Sequence, residues 1–496
     1  MLRKDNVFIK RIIQNYKNNP NKKIVSDNKK SLTYSQLINL ALSNSKKIKK
    51  IESNFIPIIV ERNIETVVAI LTVIFSKKIF CPISNKFPNE RINLFLKILE
   101  CNFLINCSNK KFNDKNELKI NYKLKKNFDK LNKDFDSFNF SNLEETFYLL
   151  FTSGTTGAPK GVKLSFKNIY NTIIWSKDYL NWKNHKIGIA TEFSFDISMF
   201  DLFSGLYYSV PIYIFQNPSN PFNTIKEIKK NKVTSIFSVP TFFSNFIKYN
   251  LIRRKFSSLR RIISGGDFFS NKDILSWKIN HPKINIFNVW GPTETSIVNA
   301  MYKIQKKDIK ILKEGQSIPA GKSHPMMRLK ILKNKKEVPK NKIGEICMIG
   351  NCVSQGYVGH NKNSKNYFQY NTKRAYLTGD LGYLDKKNNL HIVGRKDNTL
   401  KISGYRIDAL EVENIVNMNF NVTNSCLIKT SIFDINILCL VIETKKKINY
   451  EKIIKFLKRK LPSYSLPKKV ISLKKFPLNQ NNKIDRNKIK LIVNEK

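Results

Sequence analysis

Acidic residues are scarce in this 496-residue chain, histidines are fewer still, and no apolar run is long. Asp and Glu number 37 against 88 Lys and Arg, a formal charge of +51 that ordinarily raises the question of nucleic acid or an anionic membrane. The lysines, however, alternate with Ile and Asn throughout, as in Lys226-Glu-Ile-Lys-Lys-Asn-Lys232, and form no basic block. A solvated basic surface, with no nucleic-acid partner, is expected. The seven cysteines form no Cys-x-x-Cys pair and do not cluster with the five histidines, which argues against zinc and for a reduced, cytoplasmic protein. The N-terminus lacks the apolar core of a signal peptide, and the longest apolar stretch, residues 67–75, is about half a membrane span. No membrane span and no internal repeat are expected.

What is present is enough for a large globular protein. With 41% hydrophobic residues the chain can bury sizeable cores. Apolar strand-like runs alternate with helical patterns, at residues 56–60, 187–190, 211–215, 235–239, 259–264 and 284–289. That alternation predicts an α/β fold with mainly parallel sheets. A fresh alternation after about residue 396 predicts a second unit: a large domain over 1–396 and a small α+β domain over 397–496. The Lys/Asn-rich stretch at 109–142 is expected to be peripheral.

Four segments carry candidate chemistry. Phe151-Thr-Ser-Gly-Thr-Thr-Gly-Ala-Pro-Lys-Gly161 follows a predicted strand and combines close backbone approach at Gly154 and Gly157 with hydroxyl donors on Ser153, Thr155 and Thr156 and a charge on Lys160. It suits polyphosphate, although its spacing is not that of a Walker loop, and alone it could be a surface turn. Asn288-Val-Trp-Gly-Pro-Thr-Glu-Thr295 turns at Gly291-Pro292 and offers the face of Trp290, the amide of Asn288 and the hard oxygens of Glu294, which suit Mg²⁺. Tyr376-Leu-Thr-Gly-Asp-Leu-Gly-Tyr383 places Asp380 where it can accept two hydrogen bonds from a diol. Gly394-Arg-Lys-Asp-Asn-Thr-Leu-Lys-Ile-Ser-Gly-Tyr-Arg-Ile-Asp408 sets Arg395 and Asp397 at the apparent domain junction.

In this order and at these separations the four segments resemble the core motifs of the adenylate-forming superfamily, which includes acyl-CoA synthetases, luciferases and amino-acid adenylation domains. Leu32-Thr-Tyr-Ser-Gln-Leu37, Cys81-Pro-Ile-Ser-Asn-Lys-Phe-Pro-Asn-Glu-Arg-Ile92 and Pro477-Leu-Asn-Gln-Asn-Asn-Lys-Ile-Asp-Arg486 extend the resemblance to nearly the whole chain. The resemblance implies a two-step ligase using ATP and Mg²⁺: a carboxylate attacks the α-phosphate of ATP, and a thiol then displaces AMP. It places Ser153, Thr155, Thr156 and Lys160 on the β- and γ-phosphates, Thr293 among the nucleotide-binding residues, Glu294 on Mg²⁺, and Asn288 and Trp290 on adenine, with Trp290 where the family usually has Tyr. It also places Asp380 and Arg395 at the ribose, Lys483 as the catalytic cation on a mobile domain, and Asp397 at the hinge of that domain. Two departures from the pattern are Asn482 for the usual Gly and Ser403 for a frequent Arg.

Substrate class is read from Phe193-Ser-Phe-Asp-Ile-Ser-Met-Phe-Asp-Leu-Phe203. In the amino-acid-activating branch an Asp here binds the substrate ammonium, and Asp196 matches it; the alternative is an Asp capping the next helix. The same alignment puts Ile197, Phe200, Phe237, Ile262, Ser264, Val289, Ile297 and Val298 around the substrate side chain. All but one are apolar, so a small or medium aliphatic amino acid is expected, alanine first. Only ten residues follow Arg486, so the chain resembles the free-standing D-alanine:D-alanyl-carrier-protein ligases. A monomer acting on a separate acidic carrier protein with a phosphopantetheine thiol is then expected. An acyl-CoA synthetase is the alternative.

Overall fold

Helix starts follow local capping chemistry. Thr33 and Gln36 form a capping box at the head of helix Tyr34–Lys49, and Ser165 with Asn168 does the same for Phe166–Tyr179. The apolar run at 67–75 lies in helix Ile64–Phe75, a twelve-residue helix capped by Asn63 and buried on nearly every side. Its length and burial make it a core helix, and no helix among the described residues is long and apolar enough to cross a membrane. The computed structural model describes residues 6–112, 115–124, 142–152, 159–314, 318–324, 327–358, 365–396, 399–432, 435–444, 448–478 and 484–495.

Two mixed sheets form the body of the chain. In the nine-stranded sheet six neighbouring strands run parallel, in the order Lys23–Ser26, Ile212–Ile214, Ile187–Ile189, Ser235–Ser238, Arg261–Ser264 and Asn285–Trp290. These strands are buried on both faces, which is why they read as continuous apolar runs. Antiparallel strands flank them at both edges. The seven-stranded sheet is parallel from Asn116–Glu117 through Phe103–Asn106, Phe55–Val60 and Ile79–Ser84 to Thr146–Thr152; Lys160–Ser165 and Tyr357–Val358 then join antiparallel. One apolar core runs between the two sheets, with Phe8, Phe80, Phe147, Phe166 and Phe203 in mutual ring contact. A third sheet, antiparallel throughout, spans Met327–Lys333 to Leu390–Arg395.

Residues from 399 onward build cores of their own. The hairpin Thr399–Ile402 and Tyr405–Asp408 precedes helix Ala409–Asn419 and a sheet of Asn424–Ile432, Ile435–Glu443 and Lys469–Leu473. Helices Tyr450–Lys460 and Arg486–Asn494 cover its two faces, with Ile453 and Leu457 in one apolar cluster and Ile489 and Val493 in the other. Several charged contacts among the described residues tie this C-terminal part to the body. Arg91 pairs with Glu411, both buried; Lys460 pairs with Glu90 at 2.6 Å; Lys429 reaches Asp267 at 3.8 Å. An aromatic contact adds to them, where stacked Tyr405 and Tyr464 meet Phe195 and Phe87. All seven cysteines are buried and unpaired.

Candidate active site

Parallel strands converge on a cavity at their carboxyl ends, the place where α/β sheets bind ligands. Strand Asn285–Trp290 ends in Gly291-Pro292, strand Arg261–Ser264 in Gly265-Gly266, and both turns line the cavity. Gly291 is required there, because a Cβ would stand 2.5 Å from the Ile297 carbonyl oxygen. The short 3₁₀ turn Thr293–Thr295 then aims Thr293 and Glu294 inward. Ile297 lines the cavity at φ 74°, a left-handed conformation costly for a β-branched residue and held by its buried setting.

Asp196 is the first residue of helix Asp196–Tyr207, whose cap position is Phe195 with no side-chain hydrogen bond. It therefore does not stand at the cap. Its carboxylate lines the cavity, is 9% exposed, and accepts from Thr293 Oγ1 at 2.7 Å. Burial pushes its pKa up to about 6, with the Thr293 bond opposing and the nearby Glu294 charge adding to the rise. No Lys, Arg or His among the described residues pairs with it. Asp201, further along the same helix, is also buried, and burial holds its carboxyl well above the usual range.

Asp380 is the hub of a second cluster. Trp290 Nε1 donates to its Oδ2 at 3.0 Å, Arg395 Nη1 donates to Oδ1 at 2.5 Å, and Lys401 Nζ stands 3.9 Å from Oδ1. Antiparallel pairing of strands Lys373–Leu384 and Leu390–Arg395 puts Asp380 directly opposite Arg395. Three segments quoted separately in the sequence thus meet at one carboxylate.

Glu294 is 2% exposed. Its Oε1 accepts from Tyr357 at 3.1 Å and from Arg406 at 3.2 Å, while Oε2 is buried with no hydrogen-bond partner among the described residues. A buried, unsatisfied hard oxygen calls for a ligand. Glu294 Oε2 has the hard-oxygen chemistry that suits Mg²⁺, an ion that usually takes one or two carboxylates together with nucleotide phosphates; the described residues hold no cluster of three or more His, Cys, Asp or Glu. Lys160, at the start of strand Lys160–Ser165, lies over the Tyr357 ring at 5.3 Å; burial, and then the charge of Arg406, lower its pKa.

The cavity wall contains Asp196, Ile197, Phe237, Val289, Thr293, Glu294, Ile297, Asp380 and Arg395 from the sequence reading. Other expected residues stand elsewhere. Asn288 directs its amide to the Pro319 carbonyl at 3.0 Å, and Trp290 reaches the site through Asp380. Phe200 does not line the cavity but packs edge-on against Phe237, and Ser264 is fully buried with its hydroxyl unpartnered among the described residues. Ser153, Thr155, Thr156, Asp397 and Lys483 lie outside the described residues.

Three residues of the site were missed in the sequence. Arg406 and Tyr405 belong to a quoted segment in which only Arg395 and Asp397 drew a role. Tyr357 had no signal, being one of 19 tyrosines.

A family model described as AMP-binding enzyme matches residues 13–358. The chain is 28% identical over 501 residues to tyrocidine synthase 3 of Brevibacillus parabrevis, a match covering 98% of this chain and 8% of that protein. It is 30% identical over 367 residues to the D-alanine–D-alanyl carrier protein ligase of Bacillus licheniformis, covering 70% of this chain and 71% of the ligase. The chain thus spans only 8% and 17% of the length of its first two curated relatives. In fold it is similar to o-succinylbenzoate CoA synthetase from Bacillus subtilis, with TM-score 0.83 at 21% identity over 97% of this chain and 98% of the other.

Proposed function

The chain belongs to the AMP-binding enzyme family, and on that premise we propose that it is an ATP-dependent adenylating ligase. It activates a small or medium aliphatic amino acid, D-alanine first among the candidates, and passes it to the phosphopantetheine thiol of a separate acidic carrier protein. The observation that carries the amino-acid assignment is Asp196, a buried cavity carboxylate without a cationic partner among the described residues. A substrate ammonium supplies the missing charge and restores the ionised form. The apolar wall of Ile197, Val289 and Ile297 accepts a short aliphatic side chain.

In the first step a carboxylate oxygen of the amino acid attacks the α-phosphorus, and the bond to the bridging oxygen breaks to release pyrophosphate. Both reactants are anions, so fixed positive charge is the main requirement. Lys160 lies near Glu294 for the phosphate end, and Lys483 is assigned to the reacting carboxylate and α-phosphate. Mg²⁺, when bound, neutralises phosphate charge. Asp380, oriented by Trp290 and Arg395, accepts from the ribose hydroxyls. In the second step the thiol sulfur attacks the acyl carbon and loses its proton, and AMP departs with the oxygen.

The test is ATP–pyrophosphate exchange screened with every L- and D-amino acid. Exchange driven by one or a few small aliphatic amino acids is expected; exchange driven only by fatty or aryl acids would move the acyl-CoA synthetase reading to first place. Asp380→Ala is expected to weaken ATP binding by roughly 1.5–3 kcal/mol, the scale of hydrogen bonds to a charged group. An unchanged Kd for ATP, measured by calorimetry, would remove Asp380 from the ribose.

A further inference from the structure

One hydroxyl bridges the amino-acid half of the cavity and the nucleotide half. Thr293 opens the 3₁₀ turn Thr293–Thr295, lines the cavity, and donates from Oγ1 to Asp196 Oδ2 at 2.7 Å, a pair 97 residues apart in the chain. The other donors to this carboxylate are backbone N–H groups at the start of its own helix, those of Asp196 and Ile197, and the helix fixes them in place. The Thr293 hydroxyl can rotate. Glu294, the next residue, also lines the cavity and is the carboxylate that suits Mg²⁺ with nucleotide phosphates, so the hydroxyl stands between the two halves of the site. A threonine hydroxyl has a single proton to donate, whereas carboxylate and phosphate oxygens only accept. It serves one of them at a time.

We propose that Thr293 couples the two substrates, donating to Asp196 in the empty site and to a nucleotide phosphate once an ammonium group occupies Asp196. Taking the hydroxyl away from a buried carboxylate that has no other side-chain donor among the described residues forfeits a charge-assisted hydrogen bond. With an ammonium in place the carboxylate is already neutralised and receives N–H donors from the substrate, so the same rotation costs less. Nucleotide therefore binds more tightly after the amino acid, and by linkage the amino acid binds more tightly after the nucleotide. A plain carboxylic acid brings no such gain. Thr293 acts on the amino acid through Asp196, as a positioning residue, and it favours pairing of ATP with substrates that carry an amino group. The inference deepens the adenylating-ligase reading and rests on it.

The test measures binding of α,β-methylene-ATP, which cannot release pyrophosphate, to the full chain by calorimetry, at constant Mg²⁺ and with or without saturating D-alanine or propionate. D-alanine should tighten nucleotide binding to the parent by about tenfold, and propionate, which is alanine without its amino group, should give no tightening. Thr293→Ser keeps the hydroxyl and should keep the effect. Thr293→Val should cut it to less than about twofold, whatever happens to the Kd for nucleotide alone. A direct attraction between ammonium and phosphate would survive in Thr293→Val. No tightening in the parent, equal tightening in the parent and Thr293→Val, or equal tightening by D-alanine and propionate therefore overturns the proposal. Should the valine variant fold poorly, Thr293→Ala gives the same reading. If another amino acid drives exchange in place of D-alanine, it and its deamino acid replace the two probes. Failure of every amino acid in the exchange screen instead sinks the substrate reading, and this proposal with it; exchange without the Thr293-dependent tightening sinks the proposal alone.

Discussion

Asp196→Asn is expected to make the protein more stable and nearly inactive toward amino acids. The carboxyl is moved from 3.8 to about 6 by burial, so holding it ionised at pH 7 costs the empty fold about 3 kcal/mol. Because the folded pKa lies above the unfolded one, the folded state binds the extra proton between these two values. Stability of the parent is therefore highest below pH 3.8, as far as this group goes, and is lost as pH rises through about 6. Asn removes that loss and can still accept the Thr293 hydroxyl. The same change strands the substrate ammonium in a buried site, at about 3–5 kcal/mol. Urea unfolding at several pH values reads the first effect, and KM for amino acid against its deamino analogue reads the second. In the parent, amino-acid affinity should fall as pH drops through about 6. If amino acid and deamino analogue lose equally in the variant, Asp196 is a structural residue and the substrate assignment fails.

A second large effect is expected at Gly404, in the hairpin that lines the cavity. Its φ is +80°, and an added Cβ would stand 2.0 Å from Val239 Cγ1. Gly404→Ala should therefore exclude the docked position seen here and depress thiol transfer far more than pyrophosphate exchange. The left-handed backbone alone costs an alanine about 1–2 kcal/mol, and the overlap with Val239 adds to it. Val239→Ala in the same chain should restore the steric part and leave the backbone part, so the double variant should transfer acyl groups faster than Gly404→Ala and slower than the parent. Normal transfer by Gly404→Ala, measured in single turnover from preformed adenylate, would show that this contact plays no part in the second step.

Much of this arrangement is legible in the chain before folding. The parallel strands read as apolar runs because both of their faces are covered, and Gly291-Pro292 marks the turn because no Cβ fits there. Asp196 and Glu294 stand out as acids in short apolar or Gly/Pro settings within a basic chain. What the chain hides is pairing between distant segments. Asp380 is held by Trp290, 90 residues before it, and Glu294 by Arg406, 112 residues after it. Such contacts depend on how sheets and hairpins are placed, and no local pattern encodes them. Asn288 and Phe200 show the converse: a position inside a motif does not say whether a side chain faces the cavity or the residue behind it.

The burial of all seven thiols has a use in testing whether the C-terminal part moves against the body. Burial pushes Cys426 up to about 12 and Cys439 to about 11, so little thiolate is present at neutral pH and maleimide dyes have small purchase on the natural chain. Cysteines introduced at Met418, 84% exposed on the C-terminal part, and at Ile279, 66% exposed on the body, would then be labelled selectively. A donor and acceptor at those two points would report any such movement during turnover as a change of energy-transfer efficiency, with no need to strip the protein of its own cysteines first.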